Sequence, residues 1–142
     1  MLKLNPYLNF AGKTEAAFNF YRSVFGGEFA MVQRYKDSGH GDDMSPEDKE
    51  KIMHIALPVG NQVILMGTDT IEAFGQTLKE GDNFSLSINT SSEEEAQKIY
   101  NGLSVNGKST MPLEKTFWGA YFGMLTDQFG IQWMVSFEEK DK

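Results

Sequence analysis

The chain has 142 residues and a mass of 16.0 kDa, with 40% hydrophobic and 13% aromatic residues, a formal charge of −7 and a pI near 4.8. That length suits one domain of roughly 100 to 200 residues. The composition excludes disorder, no apolar run approaches the ~18 residues a bilayer requires, and the acidic balance would repel a phosphate backbone, so neither membrane nor nucleic acid is an expected partner. The absence of cysteine excludes a disulfide scaffold, thiolate metal sites and a Cys nucleophile. The start, MLKLNPYLNF, lacks the apolar core of a secretory signal and points to the cytoplasm.

In chain order, Pro6 to Phe10 reads as a short strand broken by Gly12-Lys13, with Thr14 as N-cap of a helix. Ala17, Phe20, Tyr21 and Val24 recur at helical spacing as its core stripe, and Gly26-Gly27 supplies a left-handed C-cap. A strand follows over Glu28 to Tyr35. The polar segment 36–50 reads as a mobile loop holding one helical turn, since Ser45 precedes Pro46 at the first helical position. Ile52 to Val59 and Gln62 to Met66 read as strands joined by a turn at Gly60-Asn61.

The second half repeats this order. Asn83 to Ile88 alternates polar Asn83, Ser85 and Ser87 with apolar neighbours, giving a strand with one wet face. Ser91 and Glu94 form a capping box, and Ala96, Ile99, Tyr100 and Leu103 repeat the first helix stripe with every pair 79 residues apart. After a short strand past Thr110 comes a hairpin, Phe117 to Leu125 and Ile131 to Phe137, around the turn Asp127-Gln128-Phe129-Gly130. The whole predicts an α+β fold of tandem βαβββ repeats: a curved mixed sheet around a cleft, repeat one about 3–67, linker 68–81 and repeat two about 82–138, in a single domain 1–142.

The segments PYLNF at 6–10, FYRSVFGG at 20–27, MHIAL at 53–57, MPLEKTFWG at 111–119 and DQFGIQWM at 127–134 keep the order and spacing of a known family. The chain resembles the PhnB-like branch of the vicinal oxygen chelate superfamily, which includes glyoxalase I, extradiol dioxygenases and bleomycin-resistance proteins. Similar sequences carry the label of a 3-demethylubiquinone methyltransferase, but no glycine-rich loop that would bind a methyl donor follows a strand here. The superfamily's metalloenzymes converge His, Glu or Gln from each repeat on one divalent ion. The resemblance places those four positions at Pro6, Leu65, Asn83 and Met134, which offer no usual ligand set for such an ion. It therefore implies no metal and no cofactor.

What remains is a small-molecule binding protein, expected as a homodimer because repeats of this kind leave sheet edges that a two-fold can cover. Pro6, Leu8 and Phe10 are expected to face the cleft as an apolar wall, opposite Asn83, Ser85 and Ser87. The expected ligand contacts are His54, Asn83, Ser85, Trp118, Gln132 and Met134. The first alternative is an enzyme of lyase, isomerase or dioxygenase type, using either an atypical metal site or His54 as general base. Drug or antibiotic sequestration is the further alternative. His40, Asp42 and Asp43 could bind a metal on residue type alone, but a solvated loop is the expected reading.

Overall fold

A computed structural model describes residues 1–39 and 43–139; His40 and Asp42 lie outside them. The chain divides into two compact units, Met1–Lys79 and Glu80–Lys142. The first contains β1 (Tyr7–Phe10), α1 (Thr14–Phe25), β2 (Met31–Arg34), the short α2 (Pro46–Lys49), β3 (Ile52–Val59) and β4 (Val63–Asp69). Its sheet runs β1-β4-β3-β2, with β1 parallel to β4 and the other pairs antiparallel. The second contains β5 (Leu86–Asn89), α3 (Glu93–Ser104), β6 (Lys108–Lys115), β7 (Ala120–Thr126) and β8 (Gln132–Glu138), in the order β5-β8-β7-β6, with the same single parallel pair at β5 and β8. The α+β fold of two βαβββ repeats is therefore present.

Each helix covers one face of its own sheet. In the first unit Leu8, Phe10, Ile55, Leu57 and Leu65 are buried together with Ala17, Phe18 and Tyr21 of α1. The buried stripe of α1 is Thr14, Ala17, Phe18 and Tyr21, one step round from the expected one, because Phe18 enters a space that only glycine leaves. A Cβ on Gly67 would stand 2.6 Å from Phe18 Cε1. In the second unit Ala96, Ile99, Tyr100 and Leu103 are all buried as expected, and the Tyr100 ring lies where a Cβ on Gly123, at a different position of the sheet, would stand 2.8 Å from its Cε2.

Two buried carboxylates organise the connections. Asp69 Oδ1 accepts from Gly12 N (2.9 Å), Thr14 N (3.1 Å) and Thr14 Oγ1 (2.7 Å), while Oδ2 accepts from Ile52 N (2.9 Å). Thr14 is thus the first residue of α1 and not its N-cap: Lys13 holds that position, and a carboxylate distant in sequence satisfies the helix start. Asp127 does the same in the last hairpin. Its Oδ1 accepts from Phe129 N and Ile131 N, and its Oδ2 from Trp133 Nε1 at 2.8 Å, which fixes the turn and the indole together.

Other expectations shift by a residue or more. The α3 cap is Ser92, whose hydroxyl accepts from Glu95 N, while the Glu95 carboxylate takes the N–H and O–H of Ser91, so the box sits one residue beyond Ser91 and Glu94. Gly26 has φ 81° but ψ −171°, a glycine conformation other than the left-handed helical one. β4 continues to Asp69 rather than ending at Met66. β6 is eight residues long, and Phe117 and Trp118 lie in its turn to β7 instead of in a strand covered on both faces. Ser45 caps α2 as expected. The described parts of segment 36–50 are anchored and not loose, because Met44 is buried against Tyr35 and Ile71.

Candidate functional site

Strand pairing fixes which side chains share a face, since directly opposed residues project to the same side. Leu8 pairs with Gly67, beneath α1, so Leu8 and Phe10 belong to the helix face. The residues that face away from α1 are Tyr7 and Asn9. This corrects the apolar wall of Pro6, Leu8 and Phe10: Pro6 precedes β1, and the other two are core. Leu65, 2% exposed, is also a helix-face residue, and its neighbour Met66 holds the outward position.

The outward face of the first sheet consists of two adjacent rows. One runs Tyr7, Met66, Ala56, Met31 across β1, β4, β3 and β2. The other holds Asn9 opposite Thr68 and His54 opposite Gln33. An aromatic and two thioethers, with small Ala56 between the thioethers, thus lie beside four side chains able to form hydrogen bonds. Tyr7 Oη lies 3.0 Å from His54 Nδ1, with the ring centroids 5.6 Å apart. Partial burial raises the Tyr7 pKa, with the Tyr35 phenol adding to the effect, so the phenol stays protonated at neutral pH.

The second sheet has the same plan. Ser87, Met134, Met124 and Met111 form one row, and Asn89, Ser136, Phe122 and Glu114 the next. Ser136 Oγ donates to Asn89 Oδ1 at 2.7 Å. Matching the hairpins places Met66 with Met134, Ala56 with Met124, Thr68 with Ser136 and His54 with Phe122, all 68 apart; Tyr7 with Ser87, Asn9 with Asn89 and Met31 with Met111 are 80 apart. The helices α1 and α3 start 79 apart. The expected set relates Pro6, Leu8 and Phe10 to Asn83, Ser85 and Ser87 by an odd offset, whereas the strands are related by the even offset of 80, so Ser87 lies on the outward face and Leu8 on the helix face.

Of the other expected contacts, His54 and Met134 lie on outward faces of separate units. Asn83 and Ser85 precede β5, and Asn83 is exposed. Gln132 Nε2 donates to the carbonyls of Asp82 (3.2 Å) and Phe84, so this amide holds the approach to β5. Trp118 is 56% exposed and lies 6.4 Å from the Phe122 ring, at the margin of the second face. Sequence reasoning misses Tyr7, Met31, Met66 and Asn9; their only signal there is alternation within four residues of β1 and a correct register.

A separate concavity of about 450 Å³ in the first unit is lined by Gly12, Glu15, Glu50, Lys51 and Asp69 among others. Most of its charges are engaged: Arg34 holds Glu15 at 2.7 and 3.0 Å, Lys36 holds Glu50, Lys51 pairs with Asp48, and Asp69 accepts from backbone N–H groups and the Thr14 hydroxyl. Among the described residues no three His, Asp or Glu side chains converge as a metal site, and no helix is long and apolar enough to cross a membrane.

Two mixed four-stranded sheets in βαβββ order, each with a helix on one face, define a protein of the glyoxalase, bleomycin-resistance and dioxygenase fold. A family enzyme of that name from Burkholderia phytofirmans shares the fold at a TM-score of 0.58, with 17% identity over 94% of this chain and 97% of that one. Within this superfamily the chain belongs to the PhnB-like family described as 3-demethylubiquinone-9 3-methyltransferase, whose model matches residues 2–136. It is similar to protein PA1353 from Pseudomonas aeruginosa, with 39% identity, TM-score 0.82 and coverage of 97% and 98% of the two chains. It is also similar to a Bacillus cereus PhnB protein, with 27% identity, TM-score 0.77 and coverage of 96% and 99%.

Proposed function

We propose that this protein binds a small amphipathic organic molecule on the outward sheet faces, as a cytoplasmic homodimer in which both units serve one functional domain. The observation that carries the reading is the pair of rows on the first sheet, where Met31, Met66 and Tyr7 offer apolar and polarisable surface beside Asn9, Gln33, His54 and Thr68. Apolar area supplies affinity and a few polar groups fix orientation, the usual division in small-molecule sites. The outward donors include one imidazole, amides, hydroxyls and thioethers, with the carboxylates Glu114 at the β6 edge and Glu138 at the end of β8. That set suits an organic ligand better than a divalent cation, for which oxygen-rich or imidazole-rich cages are the norm.

Broad-specificity sequestration of drug-like compounds is favoured as a second reading by the row Met111, Met124 and Met134, because unbranched thioether side chains adapt to differently shaped aromatic ligands. The test is a thermal-shift panel of aromatic acids, phenols, quinones, cationic drugs and S-adenosylmethionine, the last addressing the methyl transfer in the family's description. A ligand of the native state must raise the melting temperature. Hits should be weakened by Ala56→Phe, which fills the space between Met31 and Met66, more than by Asn83→Leu or Trp118→Ala. Affinities untouched by Ala56→Phe would overturn the placement. Light scattering tests the assembly: a mass of 16.0 kDa at high concentration would refute the dimer.

A further inference from the structure

We propose that Tyr7 locks His54 in the tautomer that carries its proton on Nε2, so that His54 acts as a hydrogen-bond donor selecting ligands with an acceptor oxygen, such as a carboxylate, phenolate or carbonyl, and not as a general base. This deepens the small-molecule reading above and rests on it.

Tyr7 Oη makes one hydrogen bond among the described residues, to His54 Nδ1 at 3.0 Å. If the imidazole donated in that contact, the O–H of Tyr7, a residue 44% exposed, would depend on solvent for an acceptor, since the described residues offer none. Donation from Tyr7 satisfies both groups of the contact within the protein, and in that arrangement Nδ1 is the acceptor. A neutral imidazole whose Nδ1 accepts carries its hydrogen on Nε2. Nε2 has no hydrogen-bond partner among the described residues, and the ring stands on the outward face between Gln33 and the Tyr7 ring. An N–H in that position recognises an oxygen acceptor and cannot remove a proton. Gln33, opposite His54, can add a second donor to the same acceptor.

The second repeat supplies an internal control. At the positions equivalent to Tyr7 and His54 it carries Ser87 and Phe122, while the surrounding plan of Asn, Thr or Ser, and Met is retained. A sheet of this register therefore folds without the phenol and imidazole pair. Packing of the sheet does not account for the pair, which leaves a role on the face it presents.

The experiment uses ¹⁵N-labelled full-length protein, with benzoate as the oxyanion probe and benzylammonium as a cation of similar size. Long-range ¹H–¹⁵N spectra at neutral pH should show His54 as the Nε2-protonated tautomer, and Tyr7→Phe should release it to a mixture. Benzoate should bind, shift the His54 resonances and bind better than benzylammonium. His54→Phe, which copies Phe122 of the other repeat, should weaken benzoate at least about tenfold, the loss expected for one hydrogen bond to a charged acceptor. Amide spectra establish that the variant is folded. An Nδ1-protonated His54 in the wild type would overturn the proposal, as would absent benzoate binding or benzoate affinity unchanged in His54→Phe. The broader panel hits judged by Ala56→Phe stand or fall separately, so failure here is distinguishable from failure of the binding reading.

Discussion

Replacing Asp69 tests whether one buried carboxylate assembles the first unit. The side chain is 2% exposed and accepts from the backbone of Gly12, Thr14 and Ile52 and from the Thr14 hydroxyl. Hydrogen bonds to charged groups contribute about 1.5–3 kcal/mol each, and a buried donor left unpaired costs about 1–3 kcal/mol. Asp69→Asn can keep the three contacts of Oδ1 but turns an amide donor toward the Ile52 N–H, giving an expected loss of about 2–4 kcal/mol. Asp69→Ala strands all four donors; the individual costs do not add, but about 4 kcal/mol or more is expected, a large share of a total stability of about 5–15 kcal/mol. Both tryptophans, Trp118 and Trp133, lie in the second unit, so fluorescence is a poor reporter of this change. Amide exchange read at Gly12, Thr14 and Ile52, alongside urea unfolding followed by circular dichroism, measures it where it occurs. If Asp69→Asn left Ile52 exchange and the urea midpoint unchanged, the carboxylate would not be the organiser described.

Gly67→Ala should destabilise by about 1–3 kcal/mol through overpacking against Phe18, and Phe18→Leu in the same chain should recover part of the loss in a denaturation series. Ser92→Ala should cost about 1 kcal/mol by removing the α3 cap, seen as a lower urea midpoint. The N–H and O–H of Ser91 hold Glu95 below the ordinary glutamate value of 4.5, and the hydrogen bond to Arg34 does the same for Glu15. Lowered folded values mean that this stabilisation is complete above pH 4.5 and is lost as pH falls through them. Glu95→Gln and Glu15→Gln should therefore flatten the acid limb of a stability curve while changing little of its slope near neutrality.

Amphipathic periodicity makes the helices and repeat legible because it is averaged over twelve residues, and the Asp127 turn is legible because its chemistry is local. The first sheet face does not follow from the same signal. β1 is four residues long, and a single-residue error in relating it to β5 reverses every side chain. Asp69 escapes a linear reading because its partners are distant in sequence, Gly12 and Thr14 on one side and Ile52 on the other. Trp118 is drawn into a strand by its aromatic neighbours, although Gly119, with φ 97°, breaks the strand there. His54 is identifiable by residue type, but the role proposed for it depends on Tyr7, which lies far from it along the chain.

The offsets of the two repeats, 80 in the first strand and 79 at the helix start, imply a rule about where this duplicated chain could change length after duplication. A codon lost inside β1 or β5 would exchange the outward and core-facing residues on one side of the deletion. The same loss between strand and helix alters only how the connection closes. The stretch from Asn9 to Thr14 is one residue longer than that from Asn89 to Glu93, and Gly12, with φ 86°, lies within it. Length variation among descendants of such a duplication should accumulate in these connections, leaving the parity of each strand as the older and more slowly altered record.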